Sequence, residues 1–190
     1  MDAITAIHRR TSVRRFRPEP VPRETIETLL EAAVRAPNHK LTEPWRFVVL
    51  TDAARDRFAE LRARQRLARF PDPASEEAQS ASDKLRKETE QTPALIVVMC
   101  AVSPDPKTRE EDYAAAMMAT ANLLIAAASL GLGTYLRTGS IMQDPEVTAL
   151  AGLEAGFRIV GIVSVGYPEA DESPRRRRPA GELTRWVTGA

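Results

Sequence analysis

Apolar positions along this chain recur with two different periods, and stretches of the two kinds alternate. Ile26, Leu29, Leu30, Ala33 and Val34 fall three and four apart behind Pro22, a spacing that predicts a helix with one apolar stripe, ended by Pro37 and Asn38. Ahead of it, Ile4 and Ile7 predict a short first helix ending near Arg10, and Pro18, Pro20 and Pro22 force an extended passage between the two. Trp45 to Leu50, behind Pro44, predicts a strand. ALIVVMCAV (94–102) and IVGIVSV (159–165) are unbroken apolar runs rich in β-branched residues, so they predict strands buried on both faces. Thr134 to Arg137 predicts a further strand.

Polar helical stretches are expected from Asp52 to about Arg69 and onward from the proline-containing loop at 70–75 to about Glu90. A long alanine-rich helix is expected from about Glu110 to Leu130, stopped by Gly131 and Gly133, and Asp144-Pro145 has the form of an N-cap and first position of a short one. The tail ends in an amphipathic LTRWV. Strands alternating with helices, the strongest strands lacking polar alternation, predict an α+β (α/β-like) fold: a central mixed β-sheet flanked by helices.

With 190 residues and no internal repeat or Gly/Ser linker, the whole chain, 1–190, is expected to be one domain. No charge occurs over the 24 residues from Tyr113 to Leu136, but the run is mostly Ala with Thr120, Asn122, Ser129, Gly131 and Gly133. It reads as a buried helix running into a buried strand, and no membrane association is expected. The opening residues have no apolar core of a secretory signal, and Cys100 is the single cysteine, so a reducing, cytoplasmic setting is expected.

Two histidines, His8 and His39, and one cysteine exclude a multi-histidine or Cys-rich metal site. No GxxxxGK[ST] loop and no GxSxG elbow occur, and Gly131-Leu-Gly133 follows a helix where a dinucleotide fingerprint would follow a strand. What remains is arginine. His8 to Arg17 holds five arginines interleaved with Thr11 and Ser12, and Arg175 to Arg178 are four in a row. Charge runs are ordinarily solvated surface. Guanidinium groups beside hydroxyls also make the donor set a bound phosphate requires. Nucleic acid is the other polyanion to weigh, but the net charge is +1 and aromatics are 5%, with only Phe16 inside the first cluster, so no nucleic-acid partner is expected.

Four strings, in chain order, resemble one family. Arg10-Thr11-Ser12-Val13-Arg14-Arg15-Phe16 resembles the RxS-x-R opening of the nitroreductase-like flavoproteins. Arg35-Ala36-Pro37-Asn38-His39-Lys40 with Pro44-Trp45-Arg46-Phe47 resembles the RAP-x-H-K…PW-x-F motif of their short members. Gly131-Leu-Gly133 with Leu136-Arg137-Thr138-Gly139 resembles G-x-G…WRSG, and the basic tail before Pro179 resembles the C-terminal phosphate segment.

The resemblance implies an FMN-dependent oxidoreductase working as an intertwined homodimer, the segment from about 170 to 190 reaching the partner. It implies NADH or NADPH as co-substrate, hydride transfer through flavin N5 in a ping-pong cycle, and a small-molecule acceptor of the nitroaromatic or quinone class. Carried over by motif, Arg10, Thr11 and Ser12 would hold the phosphate and ribityl end, and Arg14 would lie near the ring. Arg35 and His39 would contact FMN, one of them across the dimer interface. Leu136, Arg137 and Thr138 would line the ring, and Arg177 would close on the phosphate. No side chain need act as acid or base, since the flavin carries the chemistry. The pyrimidine-edge contacts are not marked by any motif; Lys84, Arg86 and Lys87 are candidates. Glu43 and Leu136 depart from the pattern, which has Gln and often an aromatic there. On the residues alone, His39 also reads as a loop histidine, Arg35 as a helix-end cation favoured by the dipole, and Arg137 as an ion-pair partner. A protein that senses or modifies flavin without turning over an external substrate fits the same motifs.

Overall fold

The computed structural model describes residues 1–170 and 175–189. Four strands, β1 (Trp45–Leu50), β2 (Ala94–Ala101), β3 (Gly133–Arg137) and β4 (Phe157–Gly166), form one sheet in the order β1-β2-β4-β3. Around it lie α1 (Ala3–Arg9), α2 (Arg23–Ala33), α3 (Asp52–Leu67), α4 (Glu76–Glu90), α5 (Pro106–Ser129) and α6 (Pro145–Leu150).

The fold is α+β with helices on both faces, as the unbroken apolar strands predict. The pairing is not mixed, however: every ladder is antiparallel, and the one parallel contact among the described residues is the isolated bridge Ser12–Thr134. The connections explain this. Between β1 and β2 the chain makes two helical passes, α3 and α4, which pack on each other and return it to the end where it left β1. Strand β2 must then run back along β1. The single pass of α5 does make β2 and β3 run the same way, but β4 lies between them.

Alternation along β2 divides the core. Ile96, Val98 and Cys100 face α2 and α5, sharing a cluster with Leu29, Ala116, Ala119 and Leu123. Leu95, Val97 and Met99 face the other way, with Phe58 and Leu61 of α3 and Val147 of α6. Full burial of each such aliphatic side chain stabilises the fold by about 1.5–3 kcal/mol. Helix α5 begins at Pro106, four residues ahead of the expected Glu110, because Asp105 caps it: its carboxylate accepts from the Thr108 N–H at 2.8 Å. None of the described helices is long and apolar enough to cross a membrane.

The tail from 175 to 189 is exposed throughout, Trp186 and Val187 each 83%. The amphipathic LTRWV stretch is not an α-helix; a short 3-10 turn, Ala180–Leu183, ends on its first residue.

Candidate functional site

Helix α1 ends where the candidate segment begins. The Arg10 N–H donates to the Ala6 carbonyl at 2.9 Å, and the chain then turns extended. Ser12 bridges Thr134, the Val13 N–H donates to the Thr134 carbonyl at 2.9 Å, and the Arg17 N–H donates to the Tyr167 carbonyl at 2.9 Å. Residues 12–17 are thus laid along the outer edge of β3 and past the end of β4. Val13 and Phe16 are buried and anchor the segment. The approach is close: a Cβ on Gly133 would lie 2.8 Å from the Val13 side chain. Arg10, Thr11 and Ser12 are half-buried, and none of their side chains has a hydrogen-bond partner among the described residues.

Beside this segment a cavity of about 430 Å³ opens between β3 and the α3–α4 hairpin. Tyr135 and Arg137 line it from β3, Arg62 and Arg66 from α3, Arg69 from just beyond the end of α3, and Glu88 from α4; Arg14 closes one side. The Tyr135 ring carries two guanidiniums, Arg137 at 4.7 Å and Arg14 at 5.4 Å from its centroid. Arg137 also donates to the Ser164 hydroxyl at 2.5 Å. Burial, and next the neighbouring Arg62 charge, push Arg137 down to about 9. Arg62 is likewise lowered by burial and donates to the Thr89 hydroxyl at 2.6 Å.

The structure brings Arg10, Thr11, Ser12, Arg14 and Arg137 together along one edge of the sheet. Thr138 continues from Arg137, exposed. Leu136 turns its side chain away from the cavity, to the α5 side, where its Cδ1 covers Gly161. Arg35 and His39 lie elsewhere in the chain. His39 Nδ1 is 2.7 Å from Glu111, near the start of α5, whereas the Arg10–Ser12 segment sits by the far end of that helix. From Glu111 to Ala127, whose carbonyl accepts from Leu132, the helix rises about 24 Å. Arg35 follows Ala32, whose carbonyl accepts from Asn122 at mid-helix. The Arg177 guanidinium folds onto the carbonyls of Arg175 and Arg176.

Of the candidates for a ring-edge contact, Arg86 pairs with Glu90 at 2.8 Å and Lys84 and Lys87 line a separate surface depression. From α4 it is Leu85 and Glu88 that reach the cavity, and the cations that reach it are Arg62 and Arg66 on α3 and Arg69 just past its end. Their signal was present in the sequence as an arginine at i, i+4 and i+7, one helical face.

A helix-covered antiparallel sheet, with guanidiniums and hydroxyls laid along its edge and a basic cavity beside them, defines an α+β protein equipped to hold an anionic ligand. The chain belongs to the nitroreductase family: the family's sequence model matches residues 7–167. It is similar to the Bacillus subtilis protein named "Putative NAD(P)H nitroreductase YfhC", 32% identical over 174 residues that make up 91% of this chain and 88% of that one. Among solved structures it is similar to a nitroreductase-like family protein from Bacillus cereus, at 31% identity and a TM-score of 0.83, covering 100% of this chain and 97% of the other. It shares its fold with a nitroreductase with bound FMN from Desulfitobacterium hafniense, at 21% identity and a TM-score of 0.73 over 99% and 100% of the two chains. The chain is accordingly an oxidoreductase of this family.

Proposed function

We propose that the protein binds FMN and uses NADH or NADPH to reduce a small organic acceptor of the nitroaromatic or quinone class. The observation that carries this reading is the Arg10–Ser12 segment, whose guanidinium and hydroxyl donors have no acceptor among the described residues and lie beside a cavity of cofactor size. That donor set fits a phosphate. The FMN-bound Desulfitobacterium relative and the NAD(P)H in the name of the Bacillus subtilis relative support it. FMN, when bound, supplies two-electron transfer between a nicotinamide donor and an acceptor.

Arg10, Thr11 and Ser12 hold the phosphate. Arg14 and Arg137 put positive charge beside the ring and stabilise negative charge arising there. Leu136 and Thr138 contribute through the backbone between them, and Arg177 closes on the phosphate from the tail. Arg35 and His39, set far along α5 from the phosphate donors, act from a second copy of the chain, so the working unit is a homodimer. Its surface is at hand: α1 packs on α5, and Ile4, Ile7 and Met118 on these helices are exposed, as is Leu41 in the loop before β1. The free Cys100 thiol suits the reducing cytoplasm.

The test is the visible spectrum of the purified protein followed by turnover with each nicotinamide. A flavin band at about 450 nm, a chromophore released as FMN on denaturation, and oxidation of NADH or NADPH on adding a nitroaromatic or quinone are expected. A colourless protein that takes up no added FMN overturns the reading.

A further inference from the structure

Helix α3 treats its arginines in two ways. Arg57 and Arg64 on one face both pair with Glu146, and Arg57 also pairs with Glu60 at 2.8 Å. The arginines facing the cavity have no carboxylate partner among the described residues. Arg62 donates to the Thr89 hydroxyl, Arg69 to the Gln65 amide oxygen and the Ser140 hydroxyl, and Arg66 stacks on the Phe70 ring at 4.9 Å. Arg137 across the cavity donates to Ser164, and Arg14 stacks on Tyr135. Five guanidiniums thus line one cavity with neutral partners, against one carboxylate, Glu88. Like charges brought this close repel, and in a recess with low-dielectric walls water screens them poorly. Such a set is stabilised by a ligand anion, and guanidiniums match planar oxyanions bidentately.

We infer that this cavity selects acceptors carrying a carboxylate or sulfonate on a planar aromatic body, the anion lying between Arg66 and Arg69 and the ring towards Tyr135. The inference names the substrate class of the reading above and rests on it for the word acceptor; the anion-binding claim stands on the cavity alone. The 2′-phosphate of NADPH carries the same chemistry, so the test separates the two.

The experiment is calorimetric titration of the purified protein, at low salt, with 4-nitrobenzoate and with its neutral counterpart 4-nitrobenzamide, then with NADPH and NADH. Flavin content is read independently from the visible spectrum. The benzoate should bind at least tenfold more tightly than the amide. Arg66→Gln and Arg69→Gln, compared at equal flavin occupancy, should each erase most of that difference, while Arg64→Gln, on the compensated face, should retain it. Equal binding of the two nitro compounds overturns the inference. So does a tenfold preference for NADPH over NADH that Arg66→Gln and Arg69→Gln abolish while the nitro compounds bind alike. A protein without flavin that still binds 4-nitrobenzoate through Arg66 and Arg69 refutes the FMN reading and keeps the anion site.

Discussion

Arg10 and Arg14 are four residues apart and differ in setting. Arg10 stands at the end of α1 with its guanidinium unpaired among the described residues, while Arg14 stacks on Tyr135 at the rim of the cavity. Arg10→Ala is therefore expected to weaken FMN binding by about 1.5–3 kcal/mol, the range for a hydrogen bond to a charged group, in titration of the apo-protein. Arg14→Ala should lower the flavin midpoint potential in a redox titration with a smaller loss of affinity, because in the proposed site the charge it removes lies beside the ring. Cys100 is a residue of another kind. Burial in the core, and next the Asp112 charge, push its thiol up to about 11, against 9.0 for a free thiol. In the folded state the thiol stays protonated while the unfolded chain loses that proton. The unfolded state then holds fewer protons, and stability falls as pH rises from about 9 towards 11. Denaturant midpoints measured across that window should fall more steeply for wild type than for Cys100→Ala, and a thiol reagent at pH 8 should label the native protein far more slowly than the unfolded one.

At the scale of elements, the site depends on how closely the 12–17 segment can lie on β3. Gly133 permits it, and a methyl there meets Val13 at 2.8 Å, backed by the sheet. Gly133→Ala should lower stability by about 1–3 kcal/mol in chemical denaturation, as overpacking does, and should loosen FMN at the same time by displacing Ser12. A loss of stability with unaltered FMN affinity would show that the segment's seat on the strand does not position the phosphate donors. This dependence was half legible in the sequence. The strands, the helices and the Arg10–Ser12 donors follow from local periodicity and residue chemistry. Sheet order and sense do not, because they depend on whether one helical pass or two lie between strands and on which strand is inserted later. For the same reason these arginines were hidden: Arg62, Arg66 and Arg69 fall at helical spacing, but nothing local says that α3 and the residues just past its end present them to Tyr135 and Arg137, some 70 residues away. Leu136 shows the converse, a motif position whose side chain belongs to the core while its neighbours line the cavity.

At the scale of the whole molecule, backbone strain and apolar exposure fall at the same place on the surface. The loop between α2 and β1 holds Lys40, Leu41 and Glu43 at positive φ, a conformation costly for each, and still leaves Leu41 80% exposed. It is tied down by the Asn38 side chain accepting from the Glu43 N–H at 3.0 Å and by the Thr42 hydroxyl donating to buried Asp112 at 2.8 Å. Strain maintained by such contacts, with an apolar tip in solvent and His39 beside it, is what a surface shaped for a neighbour looks like. The tail repeats the pattern, with Leu183, Trp186 and Val187 exposed beyond four consecutive arginines. A two-fold pair of chains would cover both and would bring His39 and Arg35 of one chain to the Arg10–Ser12 segment of the other. Light scattering at micromolar concentration should therefore give the mass of two chains, about twice 21.0 kDa. Trp186→Ala should shift the pair towards single chains and release FMN in the same concentration range, since in the proposed dimer cofactor and partner share one surface. His39→Ala should weaken FMN while leaving the mass unchanged. A single-chain mass with flavin still bound would refute the shared site, and Arg35 and His39 would then have no part in holding the cofactor.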